Sequence, residues 1–302
     1  MRVAVVGTGA IGASWTLLFL RHGHRVVATD PDPSAEQRLR AWIDAHDDTP
    51  DASVRQRLAF VSDPAEAVRE ADFVQENGPE RIEAKAEILA ALDGSAGPDA
   101  ILASSSSGLM PSQLQEHCPR HPERVLVGHP FNPPHLIPLV EVVPGRRTGE
   151  AAVRSALSFY TALGRRPVLV RQERPGHIAN RLQAALWREA YALVGSGAVS
   201  VADIDAAIAH GPGLRWALLG PFLTQHLSGG PGGIAHILDH LGPPMQTWWD
   251  DLGDVRLTPG LVDSVVTGVR DALAGTDQAA LLADRDALLG RLIAAKATTT
   301  TL

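Results

Sequence analysis

The segment Gly128-His129-Pro130-Phe131-Asn132-Pro133-Pro134, followed by Leu139-Val140-Glu141-Val142, offers an imidazole and a carboxylate to orient it. Such a pair suits the oxidation of an alcohol by hydride transfer. A neutral imidazole removes the hydroxyl proton, and a carboxylate fixes its tautomer and stabilises the imidazolium that forms. The pair alone is equally compatible with a turn histidine and a strand-end glutamate, so the chemistry needs a hydride acceptor elsewhere in the chain.

The N-terminus supplies a place for one. Arg2-Val3-Ala4-Val5-Val6 is a short apolar strand, Gly7-Thr8-Gly9-Ala10-Ile11-Gly12 follows at once, and Ala13 to Leu20 reads as a buried helix. This is a G-x-G-x-x-G in the strand–turn–helix context that gives it meaning. Gly7 permits the tight turn, Gly9 lets the backbone approach a pyrophosphate, and Gly12 lets helix and strand pack closely. The first helical turn at Ala10 and Ile11 favours the phosphate charge. A second strand, Arg25 to Thr29, ends at Asp30, whose carboxylate is placed for the adenosine ribose hydroxyls and would repel a 2′-phosphate. NAD is therefore the expected cofactor, rather than NADP.

The elements that must hold these groups alternate. A helix over Ser34 to Asp44 is followed by strands at Leu58 to Val61 and Ala71 to Glu76, around a helix starting near Asp63-Pro64. A helix over Glu80 to Leu92 then precedes strands at Ala100 to Ser104, Val125 to Gly128, Val140 to Val143 and Arg166 to Val170. Alternation of this kind predicts an α/β, Rossmann-type doubly wound, mostly parallel sheet with its ligand at the carboxyl ends of the strands. Gly7, Asp30, Ser104 to Ser107 and His129 each sit just after a strand or at its end. From Gly176 onward no strand is convincing, and Ile178 to Val194, Ser200 to His210 and Leu261 to Ala274 read as helices. We expect an NAD-binding domain over residues 1–175 and a smaller all-α domain over residues 176–302, serving substrate binding and dimerisation.

Composition narrows the function classes. The 302 residues, 45% hydrophobic, suit about two domains with a sizeable core. One cysteine, Cys118, excludes a disulfide within the chain and fits a reducing, cytoplasmic setting. No run approaches a membrane span, and the net charge of −7 argues against nucleic acid or an anionic membrane as partner. His236 and His240 are spaced to share a helical face, but no third ligand accompanies them, so no metal is expected.

Four segments together carry a resemblance. The strand–GTGAIG–helix opening, ASSSSGL at residues 103–109, GHPFNPPHLIPLVEV at residues 128–142 and GHIANRL at residues 176–182 stand in the order of the 3-hydroxyacyl-CoA dehydrogenase family. The chain resembles most its branch containing L-gulonate 3-dehydrogenase and lambda-crystallin, over residues 1 to about 230. The resemblance implies His129 as catalytic base and Glu141 as its orienting acid. It implies Ser107 and Asn180 as donors to the substrate's 3-oxygen, with Ser107, Glu80 and Lys85 also near the ribose and nicotinamide side of the cofactor. It implies a homodimer built by the helical domain.

Departures from the family pattern bear on the substrate. Acyl-CoA members carry a lysine-bearing helical hairpin after the second strand; here Asp44, Asp47, Asp48 and Asp51 occupy a shorter segment, with no lysine between Asp30 and Lys85. Four carboxylates would repel a polyphosphate. Gly108 stands where the family has a larger residue. A small polar L-3-hydroxy acid, L-gulonate-like, is therefore favoured over an acyl thioester on CoA or a carrier, with Arg215 as candidate carboxylate clamp. A carnitine-like acid is a further alternative, needing a cage for its quaternary ammonium such as Trp216, Trp248 or Trp249 could give. The intact Ser107, His129, Glu141 and Asn180 argue against a non-catalytic, crystallin-like NAD-binding protein.

Overall fold

The computed structural model describes residues 1–47 and 53–301. The chain divides into two compact units, Met1–Arg181 and Leu182–Leu302. In the first, the strands are β1 (Arg2–Val6), β2 (Arg25–Thr29), β3 (Leu58–Val61), β4 (Phe73–Glu76), β5 (Ile101–Ser104), β6 (Val125–Pro130), β7 (Leu139–Pro144) and β8 (Arg166–Leu169). They form one sheet in the order β3-β2-β1-β4-β5-β6-β7-β8. Every pair is parallel except β6 with β7. The helices of this unit are α1 (Ala10–Arg21), α2 (Ala35–His46), α3 (Ser53–Gln56), α4 (Pro64–Val68), α5 (Ile82–Ser95), α6 (Pro111–Gln115) and α7 (Glu150–Ala162).

The apolar strand runs are explained by cover on both faces of the sheet. Val3 and Val5 of β1 join a core with Trp15 and Leu17 of α1 and Phe159 and Tyr160 of α7. Ala4 and Val6, alternating with them, join a second core with Val68 of α4, Leu89 and Leu92 of α5 and Leu114 of α6. Strand order reverses at the neighbours β1 and β4, and a doubly wound sheet binds ligands outside the carboxyl ends of its strands at such a point. The single antiparallel pair, β6 with β7, has a direct chemical consequence: in its register His129 stands opposite Glu141.

The second unit is helical. α8 (Ala179–Gly195) opens in the last residues of the first unit, followed by α9 (Val201–His210), α10 (Pro212–Leu218), α11 (Pro221–Ser228), α12 (Gly233–Asp251), α13 (Pro259–Ala272) and α14 (Gln278–Thr298). Ser200, Thr258 and Asp277 cap α9, α13 and α14 by accepting from first-turn amides. α12 runs through Pro243 and Pro244, residues that lack an amide donor and ordinarily break a helix. From the sequence, only the spacing of His236 and His240 pointed to a helix there. Among the described residues of this unit no large apolar side chain is fully buried.

Candidate active site

Glu141 is the best-held side chain of the site. Its Oε2 lies 2.8 Å from His129 Nδ1, and its Oε1 accepts the amides of Ile178 at 2.8 Å and Ala179 at 3.0 Å. Both side chains are buried. Burial alone would raise the Glu141 pKa; the hydrogen bonds from His129, Ala179 and Ile178 outweigh it and hold the carboxyl below its ordinary value. A carboxylate accepts only, so Nδ1 of His129 carries the proton. Nε2 is left as the basic nitrogen.

The serine loop after β5 is organised by Glu80. Its Oε1 accepts from Ser106 Oγ at 2.7 Å and from the amides of Ser107, at 3.0 Å, and Gly108, at 2.9 Å. Burial opposes ionisation of Glu80, but these bonds and the nearby Lys85 charge lower its pKa. Asn180, in the first turn of α8, donates its Nδ2 to the Ser107 carbonyl at 3.0 Å. The four candidate catalytic residues are thereby joined: Asn180 to Ser107, and the amides preceding Asn180 to Glu141, which in turn holds His129.

Lys85 is engaged by acceptors of its own unit. Its ammonium is buried and donates to Glu76 Oε1 at 3.0 Å, Glu76 Oε2 at 2.9 Å and the Gly78 carbonyl at 3.1 Å. Three acceptors thus answer its three donors. These bonds tie β4 to the turn at Gly78. The acidic segment differs from its sequence reading: Asp44 pairs with Arg55, and Asp47 with Arg21 at 3.2 Å. Those two charges are locally compensated. Asp48 and Asp51 lie outside the described residues. Arg215 is an exposed residue of α10, in the other unit from these side chains.

Several site residues were not singled out in the sequence. Tyr160 donates to Gln75 Oε1 at 2.7 Å; Gln75 donates to Ser105 Oγ at 2.8 Å and to the Gly128 carbonyl at 3.3 Å; Ser105 donates to Asn77 Oδ1 at 2.7 Å. This partly buried chain links the strand of His129 to Asn77, beside the glycine turn. Gly128 is required, because a Cβ there would lie 2.0 Å from the Tyr160 hydroxyl. The available signal was a glutamine inside the otherwise apolar start of β4. His177 was also missed, and its place is described below.

The dinucleotide crevice passes a test of fit. Gly7 adopts φ +86°, and a Cβ on it would meet the Asn77 backbone at 2.9 Å; a Cβ on Gly12 would lie 1.9 Å from the Gly7 carbonyl. Gly9 faces open space and gives α1 no side-chain cap, so the first-turn amides of α1 are left for an anion. A cleft of about 510 Å³ between Gly7, Gly9, Asp30, Pro31, Gly78 and Ile88 opens beside them. Asp30 is held at its edge by the Thr8 amide, 2.8 Å from Oδ2. A larger cleft, about 790 Å³, lies at the amino ends of β1 and β2 and contains no motif residue.

The 3-hydroxyacyl-CoA dehydrogenase NAD-binding domain matches residues 2–174, and the C-terminal domain of the same family matches residues 176–257. The chain belongs to the 3-hydroxyacyl-CoA dehydrogenase family. L-carnitine dehydrogenase of Nocardiopsis dassonvillei is 47% identical over 94% of this chain and 88% of its own length. A 3-hydroxyacyl-CoA dehydrogenase of Gibberella moniliformis is 44% identical over 97% and 94%. Among solved structures, 5-formyl-3-hydroxy-2-methylpyridine 4-carboxylic acid 5-dehydrogenase, an NAD+-dependent dismutase, superposes with a TM-score of 0.83 at 28% identity, covering 98% of both chains. This family member is thus an NAD-dependent 3-hydroxy acid dehydrogenase acting on a CH–OH group. Among the described residues no helix is long and apolar enough to cross a membrane, and no group of three or more His, Cys, Asp or Glu could hold a metal.

Proposed function

We propose that this dehydrogenase oxidises the 3-hydroxyl of a small free 3-hydroxy acid bearing a quaternary ammonium, a carnitine-like substrate, with His129 as general base. The observation that carries the reaction is the His129–Glu141 contact of 2.8 Å. Nε2 of His129 takes the hydroxyl proton, and Glu141 stabilises the resulting imidazolium. The Ser107 hydroxyl and Asn180 hold the 3-oxygen, and in the reverse direction they stabilise its developing charge. NAD, held by the glycine turn and the first-turn amides of α1, would supply the hydride acceptor for C3. Asp30 is assigned to the adenosine ribose.

The substrate class rests on two supports. The relative from Nocardiopsis dassonvillei is named for L-carnitine, a name that moves the reading away from the L-gulonate branch suggested by the motifs. Arg215 and Trp216 are both exposed on α10, so packing of the helical unit consumes neither the guanidinium needed for a carboxylate nor an indole able to face a quaternary ammonium. A second reading, the acyl thioester, is favoured by the name of the Gibberella moniliformis relative.

A steady-state panel of L-carnitine, L-gulonate, 3-hydroxybutyrate and 3-hydroxybutyryl-CoA, each run with NAD and with NADP, tests this. L-Carnitine should show the highest kcat/KM, and NAD should exceed NADP by at least about tenfold, equivalent to roughly 1.4 kcal/mol. Efficient turnover of the CoA thioester with none of any free acid overturns the substrate assignment. Equal use of NAD and NADP removes Asp30 from the ribose role.

The same reading includes a homodimer formed through the helical unit. Phe222, Leu227, Trp248, Trp249 and Leu257 are each at least 60% exposed, and large exposed apolar side chains in this number suit an association face. Sedimentation equilibrium should give twice the chain mass of 32.0 kDa. A monomer at micromolar concentration overturns it.

A further inference from the structure

His177 is buried beside the catalytic pair, and no role has yet been assigned to it. Among the described residues it is the one non-glycine residue with positive φ, +52°, and it follows Gly176 at +73°. The left-handed region is unfavourable for a residue with a Cβ, and such strain clusters at functional sites, where the surrounding structure must hold it. Its Nε2 lies 3.1 Å from the Ser106 carbonyl. A carbonyl only accepts, so Nε2 carries the proton and Nδ1 a bare lone pair. Nδ1 is buried and, among the described residues, has no hydrogen-bond partner. A histidine kept only for packing would ordinarily have both nitrogens satisfied. The ring centroid is 5.4 Å from that of His129.

The backbone at this point also serves the carboxylate. The left-handed turn at Gly176 and His177 immediately precedes the two amides, Ile178 and Ala179, that Glu141 Oε1 accepts. Asn180, next in the chain, reaches the Ser107 carbonyl. One short turn therefore makes two hydrogen bonds to the serine loop and two to the carboxylate of the base–acid pair. We propose that His177 is a positioning residue for hydride transfer: its Nε2–H bond to Ser106 clamps the serine loop against the turn that supplies Glu141 with its amides, setting Ser107, His129 and Asn180 in register.

The ring must stay neutral for this arrangement, because a second cation beside His129 would oppose proton uptake there. Burial lowers its pKa and the neighbouring His129 of β6 lowers it further, while the Ser106 bond, Glu141 of β7 and Glu80 before α5 act in the raising direction; the balance is downward.

The inference deepens the proposed function and rests on His129 as base, so its test is built to fail separately. Two variants are compared on whichever acid of the panel is turned over. In His177→Gln the amide nitrogen takes the place of Nε2 and can still donate to Ser106. In His177→Asn the side chain tolerates positive φ well but is too short to reach that carbonyl. The Asn variant should lose about tenfold in kcat, the scale of one lost hydrogen bond at the transition state, with KM for NAD and Tm little changed. The Gln variant should stay within about threefold of wild type. Equal kcat for the two, or a loss that simply follows Tm, overturns the clamp while leaving His129 as base untouched.

A second readout needs no turnover. In protein labelled with 15N-histidine, the signal missing from His177→Gln should report a neutral Nε2–H tautomer across about pH 6–8, the range in which an ordinary imidazole titrates. A charged ring or an Nδ1–H tautomer in that range overturns the proposal even if the Asn variant does not fold.

Discussion

Replacing His129 by alanine is expected to lower kcat by about 10²–10⁴-fold, the usual cost of losing a general base, while NADH affinity stays within about twofold by fluorescence titration. The asymmetry follows from where the groups sit. His129 is on β6, its Nδ1 committed to Glu141, whereas the glycine turn and Asp30 follow β1 and β2. A base that acts on the substrate proton contributes to the transition state and little to dinucleotide binding, so the loss should fall on kcat. A variant keeping more than about a third of wild-type turnover, with the substrate series unchanged, removes His129 from the role of base.

The parts of this molecule that follow local rules could be read from the chain. β1 is apolar because both its faces are covered, and the Gly7, Gly9 and Gly12 spacing is imposed by a turn in which a Cβ on Gly12 would overlap the Gly7 carbonyl. The distance from His129 to Glu141 was visible only as twelve intervening steps; the β6–β7 register turns it into a cross-strand contact. What could not be read is set by contacts between distant segments. No local pattern says that Lys85 spends its donors on Glu76 and Gly78, or that Arg21 and Arg55 answer Asp47 and Asp44. α12 defeats propensity outright, its Pro243 and Pro244 carried within a helix. His177 was hidden for another reason: its significance lies in a backbone angle and in an unpartnered nitrogen, and neither leaves a mark on composition or periodicity.

Changing Glu141 to glutamine exchanges one oxygen for an NH2 group and should cost on the order of 10³-fold in kcat, comparable to loss of the orienting acid in other acid–histidine pairs. The carboxylate now accepts three hydrogen bonds, one from His129 and two from the amides of Ile178 and Ala179. An amide has one oxygen and one NH2 group. If its oxygen stays with the two backbone amides, its NH2 faces His129 Nδ1 and drives the imidazole proton to Nε2, the nitrogen that must be bare to receive the substrate proton. If it flips, the NH2 opposes two backbone donors in a buried site, which destabilises the turn before Asn180. Either orientation removes the working geometry, and the two are separable because only the second should lower Tm appreciably. The pH dependence adds an independent check. The folded-state pKa of Glu141 is depressed, so its contribution to stability is present above the unfolded carboxyl value of about 4.3 and is lost as pH falls through the lower folded value. Wild type should therefore lose stability relative to the glutamine variant as acid is added through that window, and the difference should be level at neutral pH. Wild-type turnover in Glu141→Gln, or a stability difference that does not change below about pH 4.3, would show that the carboxylate neither orients His129 nor is held ionised by it.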